Sequence, residues 1–178
     1  RVEGWKHLAD ITSHLSRFLL VTGQNIAAVA TLKLVVQAQE RFASATDDCV
    51  AAACLRVAEV CWKLSHLDDA LQYAQRCVTM RRERLGSDHL ETSAALHRLG
   101  LVLMSRKDVN EAEKVLKEAL EVRESSIGGD SGEVAETMSA LAQCLLGQGN
   151  RTDANAMQQR ANAIIVRVRR QAARSYDA

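Results

Sequence analysis

Residues 85–100 read LGSDHLETSAALHRLG, and forty-two residues later 127–142 read IGGDSGEVAETMSALA. Gly86 falls on Gly128, Asp88 on Asp130, Leu96 on Met138, Leu99 on Leu141 and Gly100 on Ala142. The interval extends beyond this pair. Ala70, Ala112 and Ala154 are forty-two apart, and one further step back lands on Ala28. Thirteen residues before these alanines stand Leu15, Val57, Leu99 and Leu141, and four residues after those come Leu19, Cys61, Leu103 and Leu145. Seven residues after the alanines come Val35, Cys77, Ala119 and Ala161. Agreement of these registers over four copies makes the repeat a structural one.

Each copy holds two helices. Cys54, Val57, Ala58 and Cys61 form an i, i+3, i+4, i+7 stripe, the mark of a helix with one buried face. Ala70, Leu71, Ala74, Cys77 and Val78 repeat that spacing after a short break at 64–67. Glycine marks the break in other copies, at Gly23 and at Gly147 and Gly149. Between copies, Gly86-Ser87-Asp88 and Gly128-Gly129-Asp130 predict a helix ended by glycine and the next one capped by aspartate. His89 is a further candidate for that cap. The spacing predicts helices near 5–22, 25–42, 48–64, 67–84, 90–105, 109–125, 132–147 and 151–173. The fold class is all-α: one domain, 1–178, of four stacked helical hairpins at about 5–46, 47–89, 90–131 and 132–174. A hairpin cannot bury its apolar face alone, so neighbouring copies supply the missing surface. In the last helix Arg151, Asn155, Gln158 and Asn162 replace Leu67, Leu71, Ala74 and Val78, which reads as a polar cap. Ile164, Ile165, Val166 and Val168 then remain to be covered.

Composition agrees and excludes several classes of function. The chain has no proline and only nine glycines among 178 residues, and good helix formers dominate. Twenty-three basic residues against 22 acidic ones give no global attraction to nucleic acid or to an acidic membrane. No apolar run reaches the roughly 18–20 residues that span a bilayer. Five cysteines without a CxxC pair read as free thiols in a reducing compartment, the cytoplasm or the mitochondrial matrix. Opening on Arg1 reads as an excerpt of a longer protein. His7, His14, His66, His89 and His97 never pair at i, i+3 or i+4, and Cys54 with Cys61 lie on a buried stripe. No metal site, cofactor or catalytic residue is therefore expected.

The Leu99-Gly100 and Leu141-Ala142 pairs, with Ala70, Ala112 and Ala154, resemble the tetratricopeptide repeat. That family's usual period is about thirty-four. A period of forty-two with turns such as LGSDH is similar to the kinesin-light-chain-type subclass. The resemblance covers almost the whole chain and is weakest in the first copy, where Ser16 takes the small-residue place. It implies a right-handed superhelix, with first helices lining a concave groove for extended or helical peptides and no catalytic site. The chain departs from the pattern in two ways. The Asn-Asn pairs of kinesin light chains, which grip peptide backbone, are replaced by Leu55-Arg56, His97-Arg98 and Ser139-Ala140. The lysine-asparagine clamp of chaperone-binding members is also missing.

Beside each buried stripe runs a second one, offset by one residue. Taken across the copies it supplies the candidate groove contacts: Arg17, Leu20, Leu55, Glu59, Trp62, Lys63, His97, Leu101, Met104, Ser139 and Gln143. An apolar centre at Leu55, Trp62, Leu101 and Met104 with a polar rim suits a protein segment or partner helix. The bland reading packs Trp62 and Met104 between neighbouring first helices. A second candidate is an electrostatic dock formed by Arg160, Arg167, Arg169, Arg170 and Arg174, uninterrupted by acid until Asp177. It carries no interleaved aromatics to stack bases, which weakens an RNA reading. The expected function is a non-enzymatic interaction or scaffold module. The alternatives are a structural subunit permanently buried in a large assembly and, third, a helical-repeat RNA binder.

Overall fold

The computed structural model describes residues 11, 14–16, 18–19, 21–42 and 48–176. Among them the elements are α1 (Asn25–Phe42), α2 (Asp48–Lys63), α3 (Leu67–Leu85), α4 (Leu90–Ser105), α5 (Val109–Ile127), α6 (Gly132–Gly147) and α7 (Arg151–Tyr176). The described residues of 11–21 are also helical, and no described residue is in a strand. The fold is an all-α array of helical hairpins. Its packing divides into two compact units, Arg1–Arg84 and Leu85–Ala178, where the sequence reads as one domain.

In the N-terminal unit α1 packs on α2. Two ion pairs join α1 to α3: Lys33 with Asp69 at 2.8 Å, and Glu40 with Arg76. In the C-terminal unit α5 packs against both α4 and α6, α6 packs on α7, and α4 also touches α6. The register alanines Ala28, Ala70, Ala112 and Ala154 are all buried, as are Val57, Leu99, Leu141, Val35, Cys77, Ala119 and Ala161. Leu15 is the exception at its register, and it is exposed.

The turn inside each hairpin is the same in all four copies. Residues 23, 65, 107 and 149 all have positive φ, between 61° and 82°, although only two of them are glycine. The following amide, at 24, 66, 108 and 150, donates to the carbonyl five residues back, at 2.8–2.9 Å. This is a left-handed helix stop that satisfies an otherwise orphaned carbonyl. Ser65 and Lys107 hold it against the steric preference of a side-chain-bearing residue, which costs roughly 1–2 kcal/mol. Lys107→Gly is therefore expected to raise stability by about 0.5–1 kcal/mol, after the entropy glycine adds to the unfolded chain. Thermal unfolding of the variant checks this, and a loss of stability would show that the Lys107 side chain itself contributes.

The turns between copies differ from expectation by one residue. The N-caps are His89, whose Nδ1 accepts from the Glu91 amide at 3.1 Å, and Ser131, whose hydroxyl accepts from Val134 at 3.2 Å. Asp88 and Asp130 stand one residue too early to cap, and Asp130 instead pairs with Arg167 at 2.9 Å. Gly86 and Gly128 end α3 and α5 in left-handed backbone, at φ +93° and +80°. The equivalent position in the last copy is Arg170, so α7 runs on to Tyr176. Ile164 is buried within its own unit, Ile165 and Val168 are partly exposed, and Val166 is exposed.

Candidate functional site

The candidate contacts fall on the first helices of the hairpins. Arg17 and Leu20 lie outside the described residues. On α2, Leu55, Glu59, Trp62 and Lys63 occupy one face, since residues three and four apart are neighbours on a helix. Leu55 and Trp62 are partly exposed, and the Lys63 ammonium pairs with Glu59 at 2.9 Å. Large apolar surface on α2 thus stands partly in solvent beside a solvated ion pair, while Val57, Ala58 and Cys61 are buried behind it.

In the C-terminal unit Leu101 and Met104 are partly exposed on α4; on α6, Ser139 is partly exposed and Gln143 exposed. Ser139 Oγ accepts from Gln158 Nε2 of α7 at 3.3 Å. His97 departs from the expected surface strip. It is only 7% exposed, and its Nδ1 is buried without a hydrogen-bond partner. The cause is the width of the buried arc on an interior first helix. α4 packs on α5 and also touches α6, so a residue one place off the stripe is also enclosed. Burial, then the nearby Arg123 and Arg98 guanidinium groups, push the His97 imidazole down to about 4. It is neutral at physiological pH.

Arg123 itself was not legible as a structural residue. It is 5% exposed at the end of α5, and Nη1 donates to the Glu133 carbonyl at 2.7 Å and to Thr137 Oγ1 at 2.6 Å. The guanidinium thereby ties α5 to the first turns of α6. Desolvation lowers its pKa, and Glu136 and Glu133 act in the opposite direction. The signal was present in the register: Arg81, forty-two residues earlier, is buried too, and Gln39 holds the same place in the first copy.

The arginines of α7 divide. Arg160 pairs with Glu124 at 3.0 Å and Arg167 with Asp130 at 2.9 Å, so both are partly neutralised by α5 and the turn after it. Arg169 and Arg170 are exposed, and the Arg174 side chain lies outside the described residues. Cys54, Cys61 and Cys144 are free thiols, and burial pushes Cys54 up to about 12 and Cys61 and Cys144 to about 11. Such thiols are protonated and unreactive. Among the described residues no three His, Cys, Asp or Glu side chains are placed to hold a metal ion. No described helix is long and apolar enough to cross a membrane.

Two family models, each described as tetratricopeptide repeat, match residues 50–91 and 91–164. No curated protein matches the sequence significantly. Among solved structures, BtubC (BKLC) from P. vanneervenii superimposes with a TM-score of 0.82 at 20% identity, over 93% of this chain and 66% of that one. This chain thus spans about two thirds of that neighbour's length. A Podosopora anserina protein with nearly identical TPR-like repeats, assigned as a kinesin light chain, gives 0.78 at 20% identity, over 91% of this chain and 76% of its own. MamA gives 0.65 at 14% identity, covering 95% and 89%. At these identities the structural matches establish the fold, and the sequence models establish the family. The chain belongs to the tetratricopeptide repeat family, built on the hairpin fold it shares with kinesin light chain-like repeat proteins.

Proposed function

We propose that this chain is a non-enzymatic scaffold whose first helices bind protein segments, α2 in the N-terminal unit and α4 in the C-terminal unit each presenting a face of its own. Tetratricopeptide repeats are in general protein-interaction modules. The observation that carries the finer reading is the partial exposure of Leu55 and Trp62 on α2 and of Leu101 and Met104 on α4, where the neighbouring apolar side chains are buried. Leaving such surface in water has a free-energy cost that a partner removes. Trp62 is the expected anchor, because a large aromatic with few rotamers is the commonest interface hot spot. Arg169 and Arg170 give α7 an electrostatic face for an acidic segment of the same partner.

The test is affinity capture with the 178-residue chain and identification of the retained protein, followed by Trp62→Ala. Truncation is expected to weaken binding by at least ~2 kcal/mol with little change in melting temperature. A variant that instead loses about 3–5 kcal/mol of fold stability would assign Trp62 to the core. A second reading, permanent burial in a larger assembly, is favoured by the exposed apolar residues of the first hairpin, Ile11, Phe18, Ile26 and Leu34. Purification separates the two, since a constitutive subunit precipitates or elutes with its assembly while a reversible adaptor is soluble alone.

A further inference from the structure

The turn between the second and third copies holds a motif that neither the fold nor the first helices account for. Residues 82–87 read Arg-Glu-Arg-Leu-Gly-Ser, which puts arginine five and three places before Ser87. No other serine or threonine of the chain has arginine at both places. The turn is built without this hydroxyl. Gly86 supplies the left-handed backbone at φ +93°, Thr92 Oγ1 donates to the Gly86 carbonyl at 2.8 Å, and His89 caps α4. In the next copy the place of Ser87 is Gly129, where an added methyl group would meet nothing within 4 Å.

Arg81 is the last buried residue of α3, and Thr92 is the first buried residue of α4. Between them every residue is exposed except Leu85, which is partly so. The final turn of α3 can therefore open without uncovering the core, at the expense of its own backbone hydrogen bonds and the bond from Thr92 to Gly86. A second serine shows what this exposure decides. Ser126 is exposed and also has arginine three places before it, but that residue is Arg123. Arg123 is buried and bound to the Glu133 carbonyl and Thr137, so drawing it out would break the tie between α5 and α6. Arg82 and Arg84 are exposed and carry no such burden of burial.

We propose that Ser87 is a phosphorylation site for an arginine-directed serine kinase, whose acidic groove takes the Arg82 and Arg84 guanidinium groups from an extended segment. Such a groove reads contiguous residues, so the motif acts without help from any other part of the fold. The Ser87 oxygen attacks the γ-phosphorus of ATP. The new O–P bond forms as the bond to the β–γ bridging oxygen breaks, ADP leaves, and the hydroxyl proton passes to an aspartate of the kinase. The phosphate then stands just before the first turn of α4. The helix dipole favours a negative charge there, while Asp88 and Glu91 oppose it. These effects have opposite signs, so the modification adds charge to the surface and leaves the melting temperature close to its unmodified value.

The test incubates the 178-residue chain with magnesium ATP and protein kinase B, and reads the product by intact mass and tandem mass spectrometry. One phosphate is expected, on Ser87, and Ser87→Ala is expected to lose it. Arg84→Gln is expected to slow incorporation by about tenfold, the equivalent of one charge-assisted hydrogen bond. Arg84 is exposed, so circular dichroism is expected to show wild-type helicity for this variant, which separates a slower rate from a folding defect. Absence of incorporation overturns the proposal. So does a phosphate on Ser126 in place of Ser87, or an equal rate for wild type and a folded Arg84→Gln. Modification of a synthetic peptide of residues 80–92 but not of the folded chain overturns it as well, because the last turn of α3 would then stay closed.

Discussion

Acidification from pH 6.5 towards 4 is expected to destabilise the C-terminal unit by on the order of 3 kcal/mol through one side chain, His97. The imidazole ordinarily titrates at 6.5, and in the fold it is pushed down to about 4, first by burial and then by Arg123 and Arg98. Between those values the unfolded chain binds a proton that the folded chain refuses. Stability contributed by the neutral histidine is therefore complete above about 6.5 and falls as the pH drops through that window. His97→Gln keeps a polar side chain of similar length without the titration. The stability difference between wild type and this variant, measured by urea unfolding across the window, should shift steadily in the variant's favour with falling pH. Parallel pH profiles would place the charged imidazole in contact with water.

The second large effect concerns the close crossing of α4 and α5 at Gly100. A methyl group added at Gly100 would lie 2.5 Å from Cγ and 2.6 Å from Cδ2 of Leu116, which is itself fully buried. Gly100→Ala is expected to cost about 1–3 kcal/mol by overpacking, partly offset by the better helix propensity of alanine. Leu116→Ala leaves a void and costs about 2–5 kcal/mol. Combining them recreates Ala58 and Ala74, the buried pair at this register in the N-terminal unit. The double variant is therefore expected to be more stable than the sum of the single losses predicts, by at least 0.5 kcal/mol. Additivity would mean that Leu116 moves aside without cost.

That pairing also shows what was legible in the sequence. The forty-two-residue register, read from Gly100, Ala142 and the four alanines, placed α1, α4 and α6 to the residue, because small side chains mark close crossings whatever the surface does. The hairpin turns were legible as breaks in the stripes, but the left-handed residue was announced by glycine only at Gly23 and Gly149 and not at Ser65 and Lys107. Buried polar groups were the hardest to see. Arg123 carries the signature of a solvated helix end, and only its hydrogen bonds to Glu133 and Thr137 make burial tolerable. His97 was misplaced for a related reason. A one-residue offset from a buried stripe means exposure on a helix packed against one neighbour, and α4 meets both α5 and α6.

The claim that the first helices carry the function is tested most directly by amide hydrogen exchange, with and without the captured protein segment. Binding is expected to slow exchange in α2 and α4, around Leu55–Lys63 and Leu101–Met104, and to leave α1, α3 and α5 unchanged. Protection confined to those second helices, or binding without any slowing in α2 and α4, would contradict it.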